Sequence, residues 1–309
     1  MSIIVFGSIN LDLVARTAHI PAPGETIVGQ HFATLPGGKG ANQAVAAARL
    51  GLPTELVGRV GSDQFGELLL QSLSLSGVGC AGVTVDSTTH SGVALIAVDD
   101  ASENSIIVVP GANGQVGASD LQRLYSLLPQ AKVLLLQLEL PLSVVIAAAK
   151  AAKQIGVTVI FDPAPARPDL PSELYPLIDI ITPNQIEAGQ LAGFEVNSLA
   201  TAQQAAAVLH QQGVGTVIIK LGQQGAVCLN QGESFEIPAF PVKAVDTVAA
   251  GDCFNGGLAA GLAAGMNLRA AMRQAAAAAA LSVTRAGAQP SLPTRAELDR
   301  FLASFDLQI

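Results

Sequence analysis

Val133-Leu134-Leu135-Leu136-Gln137-Leu138 is followed shortly by Pro141-Leu142-Ser143, an apolar, alanine-rich run, Gly156, and then Val157-Thr158-Val159-Ile160-Phe161. A near-continuous apolar hexamer reads as a strand buried on both faces. Pro-Leu-Ser opens a helix, since Pro is tolerated in a first turn, and Gly156 ends it. The next β-branched run is a second buried strand. Strand, helix, strand is the unit that joins parallel neighbours, which need a crossover of a dozen or more residues. Outward from it the same rhythm recurs. Strands are expected at Ile3–Phe6, Thr54–Val60, Ile178–Thr182 and Thr216–Leu221, with helices headed by Asp63 (stopping at Gly77) and by Ser119. The expectation is an α/β chain: three layers, α/β/α, in a Rossmann-like arrangement around a mainly parallel sheet.

Two stretches break the rhythm. Gly92–Val98 and Ser105–Val109, joined by Asp99-Asp100-Ala101-Ser102-Glu103-Asn104, read as a β-hairpin, and Leu11–Ala15 and Glu25–Ala33 as two more strands. None has a helix to cover it, so a small projecting sheet is expected, built discontinuously from about residues 11–34 and 91–110 of a single domain spanning 1–309. A lid or a dimer interface is the usual reason for such a sheet.

Composition narrows the function. A chain of 309 residues that is 50% hydrophobic and 13% charged can bury a large core. A net charge of -8 argues against a nucleic-acid partner, which demands clustered Lys and Arg. Small anions remain open, because helix N-termini bind them without any trace in net charge. The cysteines Cys80, Cys228 and Cys253 form no CxxC pair, which suits a reducing compartment. The N-terminus reads as a strand, not a signal, and Asn267, Arg269 and Arg273 interrupt the Ala-rich stretch Leu258–Val283 too early for a membrane span. A soluble cytoplasmic protein is expected.

Gly77-Val78-Gly79-Cys80-Ala81-Gly82 matches GxGxxG, but follows a helix and precedes a strand, the reverse of a dinucleotide fingerprint; Gly77 reads as a helix C-cap. Pro36-Gly37-Gly38-Lys39-Gly40-Ala41-Asn42 lacks the spacer and Ser/Thr of a Walker loop. Its glycines allow a ligand to touch backbone, with Lys39 and Asn42 supplying a cation and an amide; a flexible loop before a buried helix is the plainer alternative. Ala244-Val245-Asp246-Thr247-Val248-Ala249-Ala250-Gly251-Asp252-Cys253-Phe254-Asn255-Gly256-Gly257 is the strongest signal. Small residues at 249–251 leave backbone N–H groups uncovered at a helix start, an anion hole, with the carboxylate of Asp252 in the first turn. Donors for a transferred phosphoryl group plus one base are what phosphoryl transfer needs. Asn10, Asp12, Glu139, Asn184, Glu187 and Gly222 all follow expected strands, at the sheet edge where α/β proteins bind ligands. None of His19, His31, His90 and His210 sits in a comparable constellation.

Gly37-Gly38-Lys39-Gly40-Ala41-Asn42 together with Asp246-Thr247-Val248-Ala249-Ala250-Gly251-Asp252 resembles the two signatures of the ribokinase/PfkB family of carbohydrate kinases, over essentially the whole chain. Gly7-Ser8-Ile9-Asn10, Asn42–Ala48, Asp162–Ala166, Ile181–Asn184 and Gly287–Ser291 are most similar to its ribokinase branch. The resemblance implies a ribokinase-like fold and ATP-dependent phosphorylation of D-ribose to D-ribose 5-phosphate and ADP. By matching positions it implies that Asn10, Asp12, Gly38, Lys39, Asn42 and Glu139 hold the sugar, and that Asp252 is the base. Ala249, Ala250 and Gly251 would form the anion hole. Asn184 and Glu187 would organise phosphates and Mg²⁺, and Lys220, Leu221 and Gly222 would border the nucleotide. A monovalent cation, K⁺, would lie by Asp246, Val248, Ser282, Arg285, Gly287 and Ser291, and the lids of two subunits would pack as a homodimer. The chain departs from its relatives at Ala275-Ala276-Ala277, where Asn or His is common, leaving Ala276 only packing to offer the adenine. Lys220 stands where some relatives carry Thr.

Three alternatives stay open on sequence alone: a kinase of the same family acting on 2-deoxyribose, fructose or a nucleoside; a non-catalytic sugar- or nucleotide-binding regulator; and, resting only on the misplaced GxGxxG, a nicotinamide dehydrogenase.

Overall fold

The computed structural model describes residues 2–101 and 103–306. Met1 at the head of the first expected strand, Ser102 in the expected hairpin turn and residues 307–309 at the end of the expected domain lie outside the described residues. The chain runs β1 (Ser2–Phe6), β2 (Asn10–Arg16), β3 (His31–Gly37), α1 (Lys39–Arg49), β4 (Thr54–Gly61), α2 (Gln64–Leu75) and β5 (Gly79–Asp86). It continues through β6 (Gly92–Val98), β7 (Asn104–Val109), α3 (Ala118–Leu127), β8 (Ala131–Leu136), α4 (Leu142–Gln154), β9 (Thr158–Phe161) and β10 (Ile180–Ile181). The remainder is α5 (Gln185–Ala192), α6 (Leu199–Gln211), β11 (Thr216–Lys220), β12 (Ala226–Asn230), β13 (Glu233–Ile237), α7 (Ala250–Ala263), α8 (Leu268–Ser282) and α9 (Arg295–Asp306).

A nine-stranded sheet has the order β13-β12-β11-β10-β9-β8-β1-β4-β5 and is parallel from β11 to β5, with β12 and β13 added antiparallel at one edge. Alternation of side chains divides the core in two. Ile3, Val5, Val133 and Leu135 pack with α1, α2, α7 and α8. Ile4, Phe6, Leu134 and Leu136 pack with α3, α4 and α6 on the other face. The three-layer arrangement follows, and the C-terminal ends of β1, β8, β9, β10 and β11 gather at one edge. No helix of the described residues is long and apolar enough to cross a membrane.

The second sheet has the order β3-β2-β6-β7, with β2 entered from β1 through Gly7-Ser8-Ile9. Where the sequence points to a strand at Glu25–Ala33, the structure has β3 at His31–Gly37. Glu25 is instead held in a turn: its N–H donates to Ala22 O at 2.9 Å, and its carboxylate accepts from Ala22 N and meets His19. On the edge strand β7, the consecutive residues Ile106, Ile107 and Val108 are 52%, 61% and 47% exposed, so both of its faces present apolar surface.

Other boundaries also move. The helix expected to be headed by Ser119 starts at Ala118, because Asp120 turns back to accept from Gly117 N at 2.8 Å. The strand expected over Ile178–Thr182 shrinks to Ile180–Ile181, between the Tyr175–Leu177 turn and Pro183. Strand β8 ends at Leu136, since Leu138 N leaves the ladder to donate to Ala164 O. Gly77 does close α2 with φ 80.

Candidate active site

Helix α7 delivers Asp252 in its first turn, 6% exposed, to a point between α1 and the end of β9. Asn42 Nδ2 donates to its Oδ2 and Gln43 Nε2 to its Oδ1, both at 3.0 Å. Burial pushes the carboxyl up to about 6 and Asp162 adds to the rise, while Lys39 and the two amide donors oppose it. The turn before it is strained: Ala249 has φ 60, one of two non-glycine residues with positive φ among those described.

 Ala249 serves as the N-cap of α7. Its N–H and that of Gly251 meet no acceptor among the described residues. The N–H of Ala250, expected to be open as well, instead donates to Thr247 O at 3.3 Å.

Around Asp252 lie the residues the sequence marks for the sugar. Asn10 is buried, and its Oδ1 accepts from Asn113 Nδ2 at 2.7 Å. Glu139 accepts from Ser8 Oγ and, at 3.2 Å, from Lys39 N. Burial and the nearby Glu139 and Asp252 charges push Asp12 up to about 7, against the pull of Lys39. Burial alone would lower Lys39, but Asp252, Asp162, Glu139 and Glu187 together hold its ammonium well above the ordinary lysine range. Asn42 keeps Oδ1 buried without a protein partner, an acceptor waiting for a donor.

The glycines of the 37–40 run do something other than bare backbone to a ligand. A Cβ on Gly37 would lie 2.3 Å from Asp12 Oδ2, one on Gly38 (φ 88) 2.6 Å from Asn10 N, and one on Gly40 2.5 Å from Gly7 C. They let the head of α1 press against the β1–β2 crossing, which sets Lys39 and Asn42 beside Asn10 and Asp12.

On the other side of Asp252 opens a cleft of about 830 Å³, lined at its polar end by Lys39, Asp162, Asn184, Glu187 and Lys220 and elsewhere by small apolar residues including Ala276, Ala279 and Val283. Asn184 and Glu187 form a capping box on α5: Glu187 N donates to Asn184 Oδ1 at 2.9 Å and Asn184 N to Glu187 Oε2 at 2.8 Å. Burial and Asp162 raise the Glu187 carboxyl. Lys220 Nζ donates to Asp162 Oδ1 at 3.1 Å. Gly222 and Gly251 line the cleft, but Leu221 is 4% exposed and belongs to the core beneath it.

The expected cation residues assemble only partly through side chains. Asp246 accepts from Val248 N at 3.0 Å and Gly287 N at 2.8 Å, tying the turn before α7 to the 285–291 loop. Ser282 and Ser291 donate their hydroxyls to Ala279 O and Ala288 O, and Arg285 pairs with Glu297 at 2.7 Å.

The model of the pfkB family of carbohydrate kinases matches residues 1–295. The chain belongs to that family. The pfkB-family chain is 44% identical over 298 residues to a ribokinase of Haemophilus influenzae, covering 96% of this chain and 97% of the relative. Among solved structures it is similar to a ribokinase of Thermotoga maritima, with TM-score 0.89, 38% identity and coverage of 98% and 99%. It is likewise similar to the Arabidopsis thaliana ribokinase complexed with ribose and ATP, with TM-score 0.90, 37% identity and coverage of 97% and 98%.

Four polar residues of this pfkB-family site are given no role by the sequence reading. Gln43 bridges Asp252 and Asp162 at 3.0 Å each, and Gln137 Nε2 donates to Gln43 Oε1 at 2.7 Å. Asp162 itself and Asn113, 1% exposed, complete the set. Signals did exist: Gln43 is a polar residue within the otherwise small and apolar run 43–48, and Asp162 is an acid directly after a buried strand. Asn113 lies in a short 3-10 helix far along the chain from Asn10, and nothing local marks it.

Proposed function

We propose that this carbohydrate kinase transfers the γ-phosphoryl group of ATP to O5 of D-ribose, giving D-ribose 5-phosphate and ADP. The observation that carries the reading is the position of Asp252: a buried carboxylate, held by two neutral amides, between a polyol-sized cluster of hydrogen-bonding groups and a nucleotide-sized cleft. The similarity to ribokinases, one of them complexed with ribose and ATP, supports the choice of both substrates.

In this reading Asn10, Asp12, Lys39, Asn42 and Glu139 hold the ribose hydroxyls, and the backbone of Gly38 shapes the pocket floor. Asp252 takes the O5 proton as the O5 lone pair forms the bond to Pγ and the Pγ–O bond to the β-phosphate breaks, its electrons leaving with ADP. A base titrating near 6 is ionised at neutral pH and more basic than an ordinary carboxylate. The N–H groups of Ala249 and Gly251 face the charge on the transferred group. Ala250 joins them by releasing its long bond to Thr247. Lys220 and Gly222 border the phosphates.

The donor set suits ions that arrive with the nucleotide rather than a preformed cage. No group of three or more His, Cys, Asp and Glu converges among the described residues. Magnesium keeps much of its water and takes one or two protein oxygens, which Asn184 and Glu187 would supply. The Asp246 carboxylate and the carbonyls of the 285–291 loop, with Val248, Ser282 and Ser291, are hard oxygen donors that fit K⁺. When bound, the ions neutralise phosphate charge and shape the anion-hole turn. The β2, β3, β6 and β7 sheet acts as a lid over the sugar. The exposed apolar residues of β7 support its packing against a second copy as a homodimer, and the free thiols of Cys80, Cys228 and Cys253 suit the reducing cytoplasm.

A coupled ADP-release assay with ribose, 2-deoxyribose and fructose, with and without K⁺, tests the reading. The expected result is the highest kcat/KM on ribose and stimulation by K⁺. A higher kcat/KM on fructose or 2-deoxyribose would overturn the substrate.

A further inference from the structure

Gln43 sits in the middle of the polar network, fully buried in α1, in reach of neither the open cleft nor the sugar cluster. Its amide nitrogen gives one hydrogen to Asp252 Oδ1 and the other to Asp162 Oδ2, each at 3.0 Å. Its amide oxygen accepts from Gln137 Nε2 at 2.7 Å. This leaves only one way round for the amide. Turned over, Oε1 would face two carboxylates and Nε2 would face the Gln137 donor, and all three bonds would be lost.

Two glycines hold the pair in place. A Cβ on Gly256 would fall 2.7 Å from Gln43 O, so α7 closes directly on α1 at this residue. A Cβ on Gly7 would fall 2.1 Å from Gln137 Oε1, so that amide lies against bare backbone at the end of β1. Beyond Asp162 the chain of contacts continues to Lys220 Nζ at the polar end of the cleft.

We infer that Gln43 is a positioning residue for phosphoryl transfer, orienting the Asp252 carboxylate and linking it to the Asp162–Lys220 pair, with Gln137 fixing the direction of its amide. The inference rests on the reading of Asp252 as the base. Asp252 is faced by Lys39 from α1, by Asp162 from the end of β9, and by Asp12 from β2 with Glu139 beyond it. Against burial and these acids, Gln43 is one of two neutral donors that favour the anion. Without it the remaining groups shift the balance toward the protonated, inactive form.

The test is kcat and KM for ribose and ATP from pH 5 to 9 in full-length Gln43→Met and Gln137→Met, with Asp252→Asn alongside. For Gln43→Met the acid limb of kcat is expected to move up by roughly one pH unit. The loss of kcat is then greater at pH 6 than at pH 9, with the KM for ribose changed less than about threefold. Gln137→Met, which touches neither carboxylate, should move the limb the same way by less. A residue that only fills space would lower the amount of folded enzyme and leave the limb in place. An unmoved limb in both variants overturns the inference, as does a raised KM with unchanged kcat. If Gln43→Met does not fold, Gln137→Met decides by the same criteria. Near-wild-type turnover in Asp252→Asn would instead sink the underlying reading of the base.

Discussion

The unfolding free energy of Asp252→Asn, measured without ligands at several pH values, reports what keeping a buried carboxylate ionised costs the fold. The folded carboxyl titrates at about 6 against an ordinary value of 3.8. A gap of roughly two units corresponds to about 3 kcal/mol. The sign follows from proton binding. Below the unfolded value both states are protonated and no penalty exists. Between the two values the folded state holds a proton that the unfolded chain has lost, so stability falls as pH rises. Above about 6 the full penalty stands. Asparagine removes the charge, but its amide nitrogen then faces Asn42 Nδ2 or Gln43 Nε2, donor against donor, at a cost of at most about 1–2 kcal/mol, which Asn42 lowers by turning its unpartnered Oδ1 toward the new amide. The variant is therefore expected to exceed wild type by at least about 1 kcal/mol at pH 8 and to lose most of that advantage near pH 4. Urea unfolding followed by circular dichroism at both pH values measures the difference. A variant less stable than wild type at pH 8, or a difference that ignores pH, would refute the reasoning.

Other parts of the site yield separate tests. Gly38→Ala places a Cβ 2.6 Å from Asn10 N at φ 88, where backbone has to move, and should lower stability by at least about 2 kcal/mol and raise the ribose KM more than its effect on the ATP KM. Because burial and nearby acids push Asp12 up to about 7, and a carboxylate accepts a hydroxyl more strongly than a protonated carboxyl does, a sugar-binding Asp12 should make ribose affinity measured by calorimetry weaken as pH falls below 7, and Asp12→Asn should abolish that dependence. Asp246→Ala cuts the bonds to Val248 N and Gly287 N and should reduce kcat by roughly tenfold or more and blunt the response to K⁺ in the coupled assay.

Much of the fold is legible because local and global preferences agree. The β8–α4–β9 unit has apolar strands, a Pro opening and a Gly stop, and each appears within two residues of its expected place. The strand at Glu25–Ala33 misleads because side-chain bonds of Glu25 outweigh β-propensity, and β10 shortens because the Tyr175–Leu177 turn and Pro183 confine it. The antiparallel strands β12 and β13 carry turn residues at Gln231-Gly232 but alternate too weakly to announce themselves. In the site, a carboxylate in a first turn is visible from sequence, and so are glycines at a helix head. What the glycines accommodate is not, because the atoms they admit belong to Gly7, Asn10 and Asp12, some thirty residues earlier. The Gln43–Gln137 link joins residues whose sequence separation is 94, and only the parallel sheet brings them together.

The central claim, that Asp252 is the base of a ribose kinase, is tested most directly by measuring ribose binding and ATP-dependent turnover on one preparation of Asp252→Asn. Ribose affinity within about threefold of wild type and a kcat lowered at least about a hundredfold are the expected results. Ribose bound normally and phosphorylated within about tenfold of the wild-type rate would contradict it.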